Sequence, residues 1–201
     1  MTMTIKQLHP LFVAEVDGVR LSPSLSDGAV AELHEAINKY SVLVFRNQEF
    51  DDDELLETGR RFGSIAPPRN HRSGNRLKHD VLADISNLDE KGQLRQLDDH
   101  RRLDGLANQL WHSDASFRPI SGELSMLYAH VVPPKGGDTE FADLRAAYDE
   151  LDDDLKVRIE DMVAEHSILH SRGLLGYSGY TDAERALVPE VRHPIVRTHP
   201  G

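Results

Sequence analysis

The sequence contains no cysteine among its 201 residues, which excludes disulfides, thiolate nucleophiles, iron–sulfur ligation and cysteine-built zinc sites. Any metal ion must be held by nitrogen and oxygen. Positive charge is also scarce: 23 Lys and Arg stand against 34 Asp and Glu, a formal net charge of -11. Such a chain repels a phosphate backbone, so a nucleic-acid partner is not expected. No apolar run approaches the ~18 residues of a membrane helix. The opening MTMTIKQLHPLF lacks the charged region and apolar run of a secretory signal. A cytoplasmic protein with no membrane contact is expected. Glycine-rich phosphate loops of the GxGxxG or GxxxxGK type are missing, and so is the G-x-S-x-G nucleophile elbow.

What is present is the balance of a globular protein, 39% hydrophobic and 28% charged, long enough for one sizeable core, and a single domain over residues 1–201 is expected. In SLSDGAVAELHEAINKY the apolar Val30, Leu33, Ile37 and Tyr40 recur at helical spacing, with Ser26 or Asp27 to accept from the first amides. SVLVF, residues 41–45, predicts a strand buried on both faces. FDDDELLETGRRFG predicts a second helix capped by Asp51, with Glu54 three residues on, Leu55 and Phe62 on its apolar side and Gly63 as a stop. APPRNHRSGNR and DEKGQLRQLDDHRRLDG read as loops around a short strand at VLADISNL, residues 81–88. Paired strands are predicted on either side of PPKGGD. Two helical sets follow, Leu144, Tyr148 and Leu151, then Leu155, Ile159 and Met162. The pattern is mixed α and β, leaning towards an antiparallel sandwich with helices outside.

Eleven histidines make a nitrogen and oxygen metal site possible, and WHSDASF, residues 111–117, carries the one H-x-D of the chain. Residues i and i+2 of an extended segment share a face, so His112 and Asp114 can present a ring nitrogen and a carboxylate oxygen to one point. With one distant histidine they would complete the facial triad of non-haem Fe(II) oxygenases, which leaves three coordination positions open. A surface histidine bonded to a neighbouring aspartate is the plain alternative. Arg69, Arg72, Arg76 and Lys78 could supply a cation for a carboxylate substrate or could simply be solvated.

The runs LANQLWHSDASFRPI, SMLYAHVVPPKGGDTEFADLRAAYDELDDDLK, EHSILHSRGLLG and PIVRTHPG, with LHPLFVAEVDGVRL, KYSVLVFRNQ and RRFGSI towards the front, resemble the Fe(II)- and 2-oxoglutarate-dependent dioxygenases of the taurine and 2,4-dichlorophenoxyacetate dioxygenase family. The likeness follows the family's order along nearly the whole chain and is greatest for the 2,4-dichlorophenoxyacetate branch. It implies a double-stranded β-helix, or jelly roll, with flanking helices, and a chemistry that uses Fe(II), 2-oxoglutarate and O2 to hydroxylate the carbon beside the ether oxygen of an aryloxyacetate. His112 and Asp114 match the first two iron ligands. Thr139 matches the threonine that contacts a carboxylate of 2-oxoglutarate, with strand propensity as its structural alternative. Asn108, Ser116 and His199 fall where the family lines its substrate pocket.

The family's third iron ligand is a histidine far downstream of H-x-D, followed by an arginine for the distal carboxylate of 2-oxoglutarate. Both are expected beyond Gly201, together with the closing strands of the barrel. The 201 residues are therefore expected to be the N-terminal part of a longer domain, to bind iron poorly alone and to be able to associate as a homo-oligomer through unpaired edges. His166, His170 and His193 are the internal candidates for a substitute ligand. A sulfonate or other small acid such as taurine is an alternative substrate, and a non-catalytic jelly-roll binding protein is the alternative of a different class.

Overall fold

Ala14 and Val16 are 0% and 2% exposed while Glu15 and Asp17 between and after them face outward, the period-2 alternation of a strand with one face on a core. This strand, β2 (Ala14–Asp17), pairs antiparallel with β1 (Thr4–Gln7) and parallel with β3 (Leu43–Val44). The computed structural model describes residues 2–66, 76–176 and 180–199. They fall into two units, one from Met1–Ile65, Met126–Ile159 and Arg197–Gly201, the other from Ala66–Ser125 and Glu160–Val196.

In the first unit, α1 (Asp27–Tyr40) starts at Ser26, whose hydroxyl accepts from the Ala29 amide at 3.2 Å. Its buried residues Val30, Leu33 and Ala36 follow the predicted helical spacing. Leu33 joins Val16 and Leu21 at the centre of the core, ringed by Met3, Ile5, Val19, Leu25, Leu43, Phe45, Phe50 and Phe62. The SVLVF strand is shorter and less buried than expected. β3 lies at the edge of its sheet and Leu43 and Val44 are half-buried, because a strand with a neighbour on one side only keeps part of its surface open. Asp51 caps α2 (Asp52–Arg60) as predicted, accepting from the Glu54 amide at 2.8 Å, but Leu56 and Thr58 carry its buried face rather than Leu55. The Thr58 hydroxyl is fully buried and has no hydrogen-bond partner among the described residues.

Helices form in both later sets, α4 (Leu144–Asp149) and α5 (Asp153–Ile159), but they end before Leu151 and Met162 and bury no residue. Arg145 at the start of α4 reaches back to the end of α1, donating to the carbonyls of Asn38 at 2.6 Å and Lys39 at 3.3 Å and to the Ser41 hydroxyl. The strands predicted around PPKGGD carry no ladder among the described residues. Strand character requires a paired backbone, and alternation of apolar residues does not create a partner.

In the second unit, β4 (Val163–His166) pairs antiparallel with β5 (Val191–Pro194). Helical turns α3 (His100–Gly105), α6 (Ile168–Gly173) and α7 (Asp182–Ala186) accompany them, with a 3₁₀ turn at Leu106–Gln109. The strand expected at residues 81–88 reduces to one bridge between Leu88 and Leu94. Asp89 closes the turn between the bridged residues, its Oδ1 accepting from the amides of Lys91 and Gln93, both at 2.8 Å; residues before Leu88 have no ladder partner among the described residues. No helix among the described residues is long and apolar enough to cross a membrane.

Candidate metal centre

The chain leaves the 3₁₀ turn at Leu110 in an extended conformation and runs through Trp111 and His112 to a turn beginning at Asp114. The Arg118 amide closes this turn on the Ala115 carbonyl at 3.0 Å. Ala115 has φ 54°, the left-handed region, which costs a residue with a Cβ about 1–2 kcal/mol. The chain thus reverses directly behind the aspartate, while His112 and Asp114 keep the common direction that their spacing predicted.

Their side chains meet with Nε2 of His112 3.3 Å from Oδ1 of Asp114. The other atom of each group is engaged. His112 Nδ1 lies 2.7 Å from the Leu110 carbonyl, and a carbonyl can only accept, so Nδ1 carries a proton, and a ring with that single proton turns a lone pair outward at Nε2. Asp114 Oδ2 accepts from the Ser125 hydroxyl at 2.7 Å. Two acceptors therefore face one another, which is repulsive unless a cation or a second ring proton lies with them. Ligands at right angles and about 2.1 Å from one ion stand about 3 Å apart, so the observed spacing suits neighbouring positions on a single metal. A ring protonated on both nitrogens would make the same contact an ion pair, the plain alternative raised by the sequence. Among the described residues no group of three His, Asp or Glu side chains could hold a metal ion, so the pair offers two donor atoms and no third.

Asn108, exposed on the 3₁₀ turn, and Ser116, half-buried in the turn after Asp114, lie in the same unit as the pair. Thr139 and His199 belong to the first unit, and both are exposed; Thr139 lies outside any strand, so strand propensity does not account for it. The substitute ligand His193 has another task. Its Nε2 donates to the Arg118 carbonyl at 2.9 Å, and its ring meets that of His166 edge-on at 5.3 Å across the β4–β5 pair.

Among the proposed carboxylate-binding cations, Arg76 is already committed, forking onto Asp84 at 2.8 and 3.1 Å and reaching Ser86 at 3.2 Å. Burial pushes the Asp84 carboxyl up, but the bonds from Arg76 and Ser86 outweigh it and hold the group below the usual carboxylate range. Lys78 is exposed, and Arg69 and Arg72 lie outside the described residues. Sequence reasoning missed Ser125 and the Leu110 carbonyl. The first is eleven residues from its partner and no spacing rule connects a serine to a carboxylate at that distance; the second is a backbone atom without a side-chain signature.

The family model described as taurine catabolism dioxygenase TauD, TfdA family, matches residues 4–201, and the chain belongs to that family. It is 41% identical over its whole length to an alpha-ketoglutarate-dependent 2,4-dichlorophenoxyacetate dioxygenase of Burkholderia sp. (strain RASC), covering 68% of that protein. It is 43% identical to the enzyme of the same name from Cupriavidus pinatubonensis, covering 71% of it. Among solved structures, that of AAD-2 in complex with Mn(II) and N-oxalylglycine superposes with a TM-score of 0.94 at 45% identity, over all of this chain and 70% of the other.

Proposed function

We propose that the protein is an Fe(II)- and 2-oxoglutarate-dependent dioxygenase of the cytoplasm, built on a jelly roll. Its substrate is an aryloxyacetate such as 2,4-dichlorophenoxyacetate. Hydroxylation of the carbon beside the ether oxygen gives a hemiacetal that separates into a phenol and glyoxylate, while 2-oxoglutarate and O2 yield succinate and CO2. The observation that carries this reading is the pair of converging acceptors, His112 Nε2 and Asp114 Oδ1, 3.3 Å apart, with the histidine tautomer set by the Leu110 carbonyl. The names of the relatives at 41% and 43% identity support the substrate class. Mn(II) and N-oxalylglycine in AAD-2 support the cofactors, the first standing for Fe(II) and the second for 2-oxoglutarate.

In this reading His112 and Asp114 hold the iron, which when bound supplies the one-electron chemistry that O2 requires. Thr139 donates its hydroxyl proton to a carboxylate of 2-oxoglutarate. Asn108, Ser116 and His199 orient the carboxylate and ether oxygen of the substrate, so that the carbon to be hydroxylated points at the metal. The test is parallel assay of succinate and phenol release by the native protein with Fe(II), 2-oxoglutarate and 2,4-dichlorophenoxyacetate. One phenol per succinate is expected, and both products disappear in His112→Ala and Asp114→Ala. Succinate release with taurine but with no aryloxyacetate would move the substrate to the sulfonates. No turnover of 2-oxoglutarate with either class would refute the reading.

A further inference from the structure

We infer that Ser125 is a positioning residue that fixes Asp114 as a one-oxygen ligand. The inference rests on the iron-binding role proposed for Asp114. The carboxylate has two oxygens with different neighbours: Oδ1 lies beside the His112 ring nitrogen at 3.3 Å, and Oδ2 accepts a 2.7 Å bond from the Ser125 hydroxyl. A carboxylate oxygen that already accepts a short hydrogen bond is a weaker and misdirected metal donor. The serine proton thus assigns one oxygen to the protein and leaves the other to the ion.

The coordination arithmetic gives this assignment a consequence. Six positions would be available in an octahedral site; the imidazole, one carboxylate oxygen and the third protein ligand that the family resemblance implies would take three. A cosubstrate chelating through two oxygens would take two more and leave one for O2. Were Asp114 to chelate with both oxygens, that last position would be filled by the protein. Local geometry favours control by Ser125, because the turn that begins at Asp114 holds the carboxylate from one side only. Ala115 turns the backbone away, and the Asp114 side chain is 64% exposed. Among the described residues the Ser125 hydroxyl is the hydrogen-bond partner of Oδ2.

The probe is Mn(II) bound to the native protein, read by the relaxation of solvent water protons, which reports the water molecules on the ion. Three waters are expected in the wild type and two in Ser125→Ala, a fall in relaxivity of about one third. Ser125→Thr keeps the hydroxyl and restores the wild-type value. With 2-oxoglutarate added, the wild type retains one water and Ser125→Ala none. Succinate release by the iron form of Ser125→Ala falls roughly 10- to 100-fold, with Mn(II) affinity maintained. Equal relaxivity in wild type, Ser125→Ala and Ser125→Thr would overturn the assignment to Ser125 and leave the proposed iron site standing. Failure of the wild type to bind Mn(II) would overturn both.

Discussion

Replacing Arg145 by alanine should destabilise the first unit by about 2–3 kcal/mol, and the reason lies in the end of α1. A helix ends with four carbonyls that have no partner within it. At this end each has one from outside: the Ser41 amide serves Ile37 at 2.7 Å, Arg145 serves Asn38 at 2.6 Å and Lys39 at 3.3 Å, and the Val13 amide serves Tyr40 at 2.8 Å. Two of the four depend on one guanidinium, itself held by the Asp143 carboxylate at 3.3 Å. Hydrogen bonds from a charged donor contribute about 1.5–3 kcal/mol each when sheltered, and a cation at a helix C-terminus adds roughly 0.3–1 kcal/mol. The Arg145 side chain is 51% exposed, so water replaces part of the loss and the sum is about half the sheltered value. For a domain of this size each kcal/mol moves the midpoint by about 2–4 °C, which puts Arg145→Ala roughly 5–10 °C below wild type in a thermal melt. Arg145→Lys keeps the charge but cannot fork between two carbonyls, and falls between them. A shift under about 2 °C for Arg145→Ala would refute the reasoning, since it would mean that water caps the helix as well as the arginine does.

Thr58→Val should stabilise the protein by about 1 kcal/mol, because it replaces a buried hydroxyl that has no partner by a methyl group of the same shape; urea denaturation is the check, and a loss of stability would show that the hydroxyl is bonded in solution. Asp84, Asp99 and Asp143 all have carboxyls held below the usual range. Burial pushes each up, and the bonds from Arg76 and Ser86, from the Arg102 and Arg101 amides and Arg95, and from Arg145 respectively outweigh it. Since the unfolded chain takes up these protons first, the stabilisation is complete at neutral pH and is lost as pH falls below about 4. Unfolding midpoints measured from pH 7 to pH 3 should drop, and Arg76→Ala should flatten the part due to Asp84.

How much of this was legible in advance depended on the range over which each signal acts. Ser26 and Asp51 were readable as caps because the acceptor and the amide it serves are three residues apart. The core positions of α1 followed from periodicity for the same reason. His112 and Asp114 were readable as a possible pair because only one residue separates them, and their side chains do approach to 3.3 Å. The strands around PPKGGD were not, since apolar alternation describes a surface ready for a neighbour and cannot supply one. Residues 81–88 failed for the same reason, since only Leu88 finds a bridging partner, Leu94, among the described residues. Ser125, Arg145 and His193 share a different difficulty. Each acts on a group 11, 104 to 107 or 75 residues away, and only the folded chain brings such partners together.

The backbone at Ala115 sets a rule for anyone who would redesign this enzyme's specificity. Libraries that vary the residues around a metal ligand usually treat them as interchangeable side chains, but this position is chosen by its φ of 54°. Glycine, asparagine and aspartate can be admitted there with little strain; valine, isoleucine and threonine would push the turn open and carry the carboxylate before it out of place. Asn108 lies outside that turn, so diversity introduced there leaves it intact, while position 115 is confined to a very short alphabet.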